Sequence, residues 1–104
     1  MKKLDAELKK YIKEQNNYEI FRLLFEFYDD IDIKQVIDYY IKTLNYSDLC
    51  TLITLVDIDY LDYIFEKIVS TKNKEFIFYI LKNGAINSII SGTKYEKILE
   101  KELN

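Results

Sequence analysis

Proline, histidine and tryptophan are missing from this chain of 104 residues, and glycine occurs only at Gly84 and Gly92. A β-rich domain of this length needs many more turn-formers, so the scarcity of breakers predicts helices joined by tight connections. Without histidine the chain lacks the commonest base near neutral pH and the imidazole ligands of most metal sites. The single cysteine, Cys50, excludes an internal disulfide and a thiolate metal cluster. No stretch approaches the roughly 20 apolar residues that span a bilayer. Asp5 and Glu7 stand where a signal peptide needs an apolar core, so the expectation is a soluble, cytoplasmic protein, in the host cell if viral.

What is present suffices for one modest core: 49% of residues are apolar and 32% charged, which predicts a single folded domain over 1–104. Ten tyrosines and six phenylalanines contrast with one arginine among fifteen basic residues. Lys, Asn, Ile, Tyr and Phe share AT-rich codons, so aromatic content alone marks no site.

Internal repetition decides the fold class. Ile20, Leu23, Leu24 and Phe27 fall at i, i+3, i+4, i+7, one face of a helix. The template recurs at Leu49, Leu52, Ile53, Val56 and at Phe76, Tyr79, Ile80, with Asn83 closing the third set. Glu19, Asp48 and Glu75 precede the three sets, where a helix N-terminus favours negative charge. A second template lies upstream of each. Ile33, Val36, Ile37, Tyr40, Ile41 and Leu44 align with Tyr60, Tyr63, Ile64, Lys67, Ile68 and Thr71 at an offset of 27, and with Leu4, Glu7, Leu8, Tyr11, Ile12 and Gln15 at 29. Shared offsets in both helices predict an all-α chain of three tandem two-helix repeats, a short solenoid or bundle. The units run about 4–29, 31–56 and 58–83. Asn83-Gly84 reads as a left-handed helix stop. An atypical cap follows over 86–104, where Tyr95, Ile98, Leu99 and Leu103 share one face of a last helix.

The run Asn73-Lys-Glu-Phe-Ile-Phe-Tyr-Ile-Leu-Lys-Asn-Gly-Ala-Ile-Asn87 resembles the second helix and exit turn of an ankyrin repeat, and Asn17–Glu26 is similar to the same helix without its Gly-Ala exit. The likeness covers about a quarter of the chain. No Thr-Pro-Leu-His opens a first helix, and the spacing falls short of the ankyrin period of about 33. The resemblance implies stacked helix pairs that bind other proteins, with the projecting hairpin lost or truncated.

Reactive chemistry has few candidates. Cys50 lies between Leu49 and Leu52, which predicts a small structural thiol. Asp29-Asp30-Ile31-Asp32 and Asp57-Ile58-Asp59 lack the mid-loop glycine of a calcium loop and stand where first helices begin, so they read as N-caps. There is no Gly-rich phosphate loop. The expectation is a protein that is not an enzyme, with no cofactor and no metal.

Charge is uneven. Residues 26–66 hold ten acids against Lys34 and Lys42, a balance of −8, while 1–25 carry +2 and 67–104 carry +3. Asp59, Asp62 and Glu66 recur at i, i+3, i+7, and Asp38 takes the place in the second repeat that Phe65 takes in the third. With Tyr39 these form a candidate partner-binding strip: Asp38, Tyr39, Asp59, Asp62, Phe65 and Glu66. The first reading is therefore a non-enzymatic protein–protein interaction module that engages another protein. The alternative is a small acidic inhibitor, of a viral or mobile-element kind, that occupies the basic groove of a nucleic-acid-binding protein. Scattered lysines and a lone Arg22 argue against direct contact with nucleic acid. Burial of Phe21, Phe25, Phe65 and Phe78 in a homo-oligomer is a third possibility.

Overall fold

The computed structural model describes residues 2–104. Among them the backbone forms eight α-helices and no strand: α1 (Lys2–Lys13), α2 (Asn17–Glu26), α3 (Ile33–Lys42), α4 (Tyr46–Leu55), α5 (Leu61–Ser70), α6 (Lys74–Lys82), α7 (Gly84–Ile90) and α8 (Lys94–Leu103). Short 3-10 turns, Tyr28–Asp30 and Ile58–Tyr60, precede α3 and α5. The chain divides into two compact units, Met1–Tyr39 and Tyr40–Asn104, and the division falls inside α3.

Isolated helices below roughly 12–15 residues are marginal in water, so these depend on the apolar stripe each buries. In the N-terminal unit α1 packs on α2 through Leu4 and Leu8, against Ile20, Leu23 and Leu24. In the C-terminal unit α8 packs on α5, α6 and α7, and α4 packs on α6 and α7. Each fully buried Leu, Ile or Phe contributes about 1.5–3 kcal/mol of transfer free energy.

Burial corrects the register read from the sequence. The second helices bury Ile20, Leu23, Leu24, then Leu49, Cys50, Leu52, Ile53, then Phe76, Ile77, Ile80, Leu81. The offset of 27 sets exposed Tyr79 on buried Leu52, whereas 28 sets Ile77, Ile80 and Leu81 on Leu49, Leu52 and Ile53 and Asn73 on Asn45. The first helices shift likewise: Ile33, Val36, Ile37 and Tyr40 match Leu61, Ile64, Phe65 and Ile68, all buried. The pairing of Tyr40 with Lys67 fails because Tyr40 is fully buried and Lys67 exposed. Apolar residues are dense enough here that two adjacent registers score alike in sequence; only packing separates them.

Turn chemistry explains how the chain reverses with so little glycine. Asn16, Asn45 and Asn73 each cap a second helix, their Oδ1 atoms accepting from the N–H of Glu19 (3.2 Å), Asp48 (3.3 Å) and Phe76 (3.0 Å). Such caps are each worth about 1 kcal/mol. The residue before each asparagine is left-handed: Gln15 at φ 56°, Leu44 at 54° and Lys72 at 54°. At the first two turns the asparagine N–H also closes the preceding helix, donating to Tyr11 O and Tyr40 O at 2.9 Å. One asparagine thus ends one helix and starts the next. Asn83 and Thr93 cap α7 and α8 in the same way. Asp57 makes no cap bond to the turn it opens, and Asp59 lies inside that turn.

Asn83-Gly84 is also revised. Gly84 has no positive φ; Asn83 caps α7 by accepting from Ile86 N–H at 3.0 Å, and the left-handed glycine is Gly92, at φ 79°, before α8.

Candidate interaction surfaces

The six residues of the acidic strip fall into different settings. Asp38 (exposed) and Tyr39 (half-buried) stand on α3 in the N-terminal unit. Asp59 is exposed on the 3-10 turn, and Asp62 and Glu66 are exposed on α5. Phe65 is a correction: it is fully buried and stacks on Tyr95 of α8, ring centroids 5.0 Å apart. The register error put it opposite Asp38; at an offset of 28 it matches buried Ile37, and Glu66 matches Asp38. Phe65 belongs to the core stripe and presents nothing to a partner.

α8 also engages the acids beside it. Tyr95 donates its hydroxyl to Asp62 Oδ1 at 2.7 Å, and Lys94 Nζ lies 3.0 Å from the same oxygen. The Tyr95 hydrogen bond, then Lys94, holds the Asp62 carboxyl below its ordinary range. The same contact raises Lys94, with Glu66 adding a smaller attraction. Part of the strip is therefore the seat of α8. Nothing in the sequence signalled this beyond the placement of Lys94 and Tyr95 at the start of an amphipathic helix.

Groups suited to catalysis are sparse. Cys50 is buried, and burial pushes its thiol up to about 11, so it is protonated at neutral pH. Among the described residues no three Cys, Asp or Glu side chains converge to hold a metal ion, and no helix is long and apolar enough to cross a membrane.

Two aromatic surfaces stand out instead. In the C-terminal unit Tyr46, on the first turn of α4, stacks on Tyr79 of α6 with centroids 5.1 Å apart and planes at 17°. Both remain open, Tyr46 at 41% and Tyr79 at 44%. With Leu44, Asn73, Glu75 and Phe76 they line a depression of about 290 Å³. Phe78 meets the edge of Tyr79 at 6.3 Å and lies under Lys82. In the N-terminal unit the second surface is the outer face of α2. Tyr18 (79% exposed), Phe21, Arg22 and Phe25 (70% exposed) form a stripe bordering a depression of about 470 Å³. Glu19 and Glu26 clasp Arg22 at 2.6 and 3.1 Å, which strengthens its hold on the proton.

Phe21, Phe25 and Phe78 all lie off the apolar stripe of their helices. With the register corrected, Leu81 matches Leu24 and Phe25 matches Thr54 and Lys82, all three exposed. Tyr46 escaped notice because its importance comes from a contact with Tyr79, 33 residues away.

No protein-family model, curated protein or solved structure matches this chain.

Proposed function

We propose that the chain is a non-enzymatic protein–protein interaction module built from short, ankyrin-like helix pairs, and that it grips another protein through the Tyr46–Tyr79 face. The stacked and half-open tyrosine pair carries the reading. Two rings already fixed against each other lose little entropy on binding, and they offer flat apolar area with a hydroxyl at its edge. The depression beside them has room for one or two side chains, and Glu75 on its rim favours a cation. The expected ligand is a peptide segment with an apolar anchor next to a lysine or arginine.

Repetition is supported by three asparagine caps spaced 29 and 28 residues apart, each behind a left-handed residue, and by buried triplets in the same register. The acidic-inhibitor alternative draws on the −8 balance of residues 26–66. It is the weaker reading, because Lys94 and Tyr95 already engage Asp62.

Panning a displayed random-peptide library on the folded chain tests the proposal. Enriched peptides should pair an apolar anchor with a basic residue, and their affinity should fall at least ~10-fold on Tyr79→Ala. Peptides that bind Tyr79→Ala equally well, or no enrichment, would overturn it.

A further inference from the structure

We infer that the cation taken beside the Tyr46–Tyr79 pair is an arginine guanidinium of the bound partner, laid as a third layer on the stack and forked onto Glu75. This rests on the tyrosine-face reading and narrows it from a basic residue to one side chain and one contact.

The carboxylate and the ring are set side by side by α6 itself. Glu75 and Tyr79 stand at i and i+4, so they are neighbours on one helix face, with Cβ atoms about 5–6 Å apart. Both line the same depression, of about 290 Å³. Glu75 also falls in the first turn of α6, where the helix dipole favours an anion. Lys74, next in sequence, is turned away from it, because adjacent residues of a helix do not share a face.

Elsewhere the chain supplies the cation for its own rings. Lys10 lies 5.9 Å from the Tyr11 centroid, Lys67 5.4 Å from Tyr63, Lys82 5.7 Å from Phe78 and Lys94 5.4 Å from Tyr95. Among the described residues no lysine or arginine lies over Tyr46 or Tyr79, and none pairs with Glu75. A ring face and a carboxylate that both attract positive charge are thus left for one from outside.

Ring geometry selects a guanidinium over an ammonium. Tyr46 and Tyr79 are nearly parallel, at 17°, and each covers one face of the other, so the surface left open is flat outer face and edge. The pair is a platform rather than a box. A planar guanidinium lies flat on such a platform, within about 6 Å of the centroid, and keeps its N–H edge free to donate to a carboxylate. An ammonium is a compact charge that holds its water more strongly and gains less from one flat ring. Phe78, edge-on to Tyr79 at 6.3 Å, steadies the platform from the side. The chain's sole arginine, Arg22, is clasped by Glu19 and Glu26 on α2, so the guanidinium comes from the partner.

The probes are leucyl-arginine, leucyl-lysine and leucyl-citrulline, each acetylated and amidated. They are titrated into the full chain up to about 50 mM and followed by NMR at the ring protons of Tyr46 and Tyr79. Leucyl-arginine should bind at least ~3-fold more tightly than leucyl-lysine and ~10-fold more tightly than the neutral leucyl-citrulline. Glu75→Gln, an isosteric change at an exposed position, should weaken leucyl-arginine about 3-fold and leave leucyl-citrulline unchanged. Tyr79→Ala should weaken leucyl-arginine at least ~10-fold with an unchanged circular dichroism spectrum. Lysine or citrulline binding as tightly as arginine, no loss on Glu75→Gln, or a loss that persists with citrulline would each overturn the inference while leaving the tyrosine face as a docking site. Shifts confined to other residues, or none at all, would overturn it as well, and the face itself then stands or falls with peptide panning.

Discussion

Phe25 and Phe65 occupy similar settings in sequence, each inside a ten-residue amphipathic helix, and they meet opposite fates. Phe25 is 70% exposed on α2, whereas Phe65 is fully buried on α5 with Tyr95 stacked over it. The difference lies in what each helix is given as a neighbour. In the C-terminal unit α8 returns to α5 and brings Lys94, Tyr95 and Leu99. In the N-terminal unit α2 has α1 on its inner side and an open aromatic stripe on the other. Phe65 is buried because α8 lies over it, and Phe25 stays open on the face of α2 opposite its core residues.

The sharpest way to break this comparison is to truncate both rings. Phe65→Ala should cost about 3–5 kcal/mol in urea denaturation, through lost transfer energy and the cavity left under Tyr95. Phe25→Ala should change stability by no more than about 0.5 kcal/mol in the monomer. Equal losses would mean that α2 is covered in solution as fully as α5.

A smaller effect follows from Cys50, which takes on α4 the place that Phe21 takes on α2 and Phe78 on α6. Its thiol is raised on folding from an ordinary 9.0 to about 11, so the folded state resists ionisation. The corresponding stability is fully present below pH 9 and is lost as the pH rises to about 11. Thermal melts should therefore fall between pH 9 and 11 more steeply in the wild type than in Cys50→Ala. Parallel slopes would mean that the Cys50 thiol is open to solvent in the folded state.

The least effect is expected at the α5–α8 clasp. Asp62 is held below the ordinary carboxylate value of 3.8, so its contribution is present above that value and disappears as the pH falls through the lower, folded one. Tyr95→Phe removes the main cause, and carboxyl NMR should show the Asp62 titration moving up toward 3.8 while the melting temperature barely changes. An unmoved titration would leave Lys94 as the sole partner and weaken the contrast with α2.

Much of the architecture was legible because helical periodicity is strong. Ile20, Leu23 and Leu24, then Leu49, Leu52 and Ile53, the first helix through Leu4 and Leu8, and the last helix over Tyr95–Leu103 fall where expected, while Phe27 and Val56 stand just past the ends of α2 and α4. The third unit slipped by one residue because Phe76, Ile77, Phe78, Tyr79, Ile80 and Leu81 form an unbroken apolar run. Such a run has no polar residue to mark the outer face. That slip moved Phe65 onto a surface strip. The asparagine turns were equally regular, yet a left-handed Gln, Leu or Lys carries no compositional flag of the kind that glycine gives.

The sequence by itself determined helices, their approximate bounds, the absence of thiolate clusters and imidazole, and the concentration of negative charge between residues 26 and 66. These follow from side-chain identity and from the 3.6-residue period, which are local. Tertiary structure alone decided which of two apolar faces is core, that Tyr46 finds Tyr79, and that α8 closes over Asp62 and Phe65. Those contacts join residues some 30 positions apart, and they depend on how far buried area outweighs chain entropy once the helices meet.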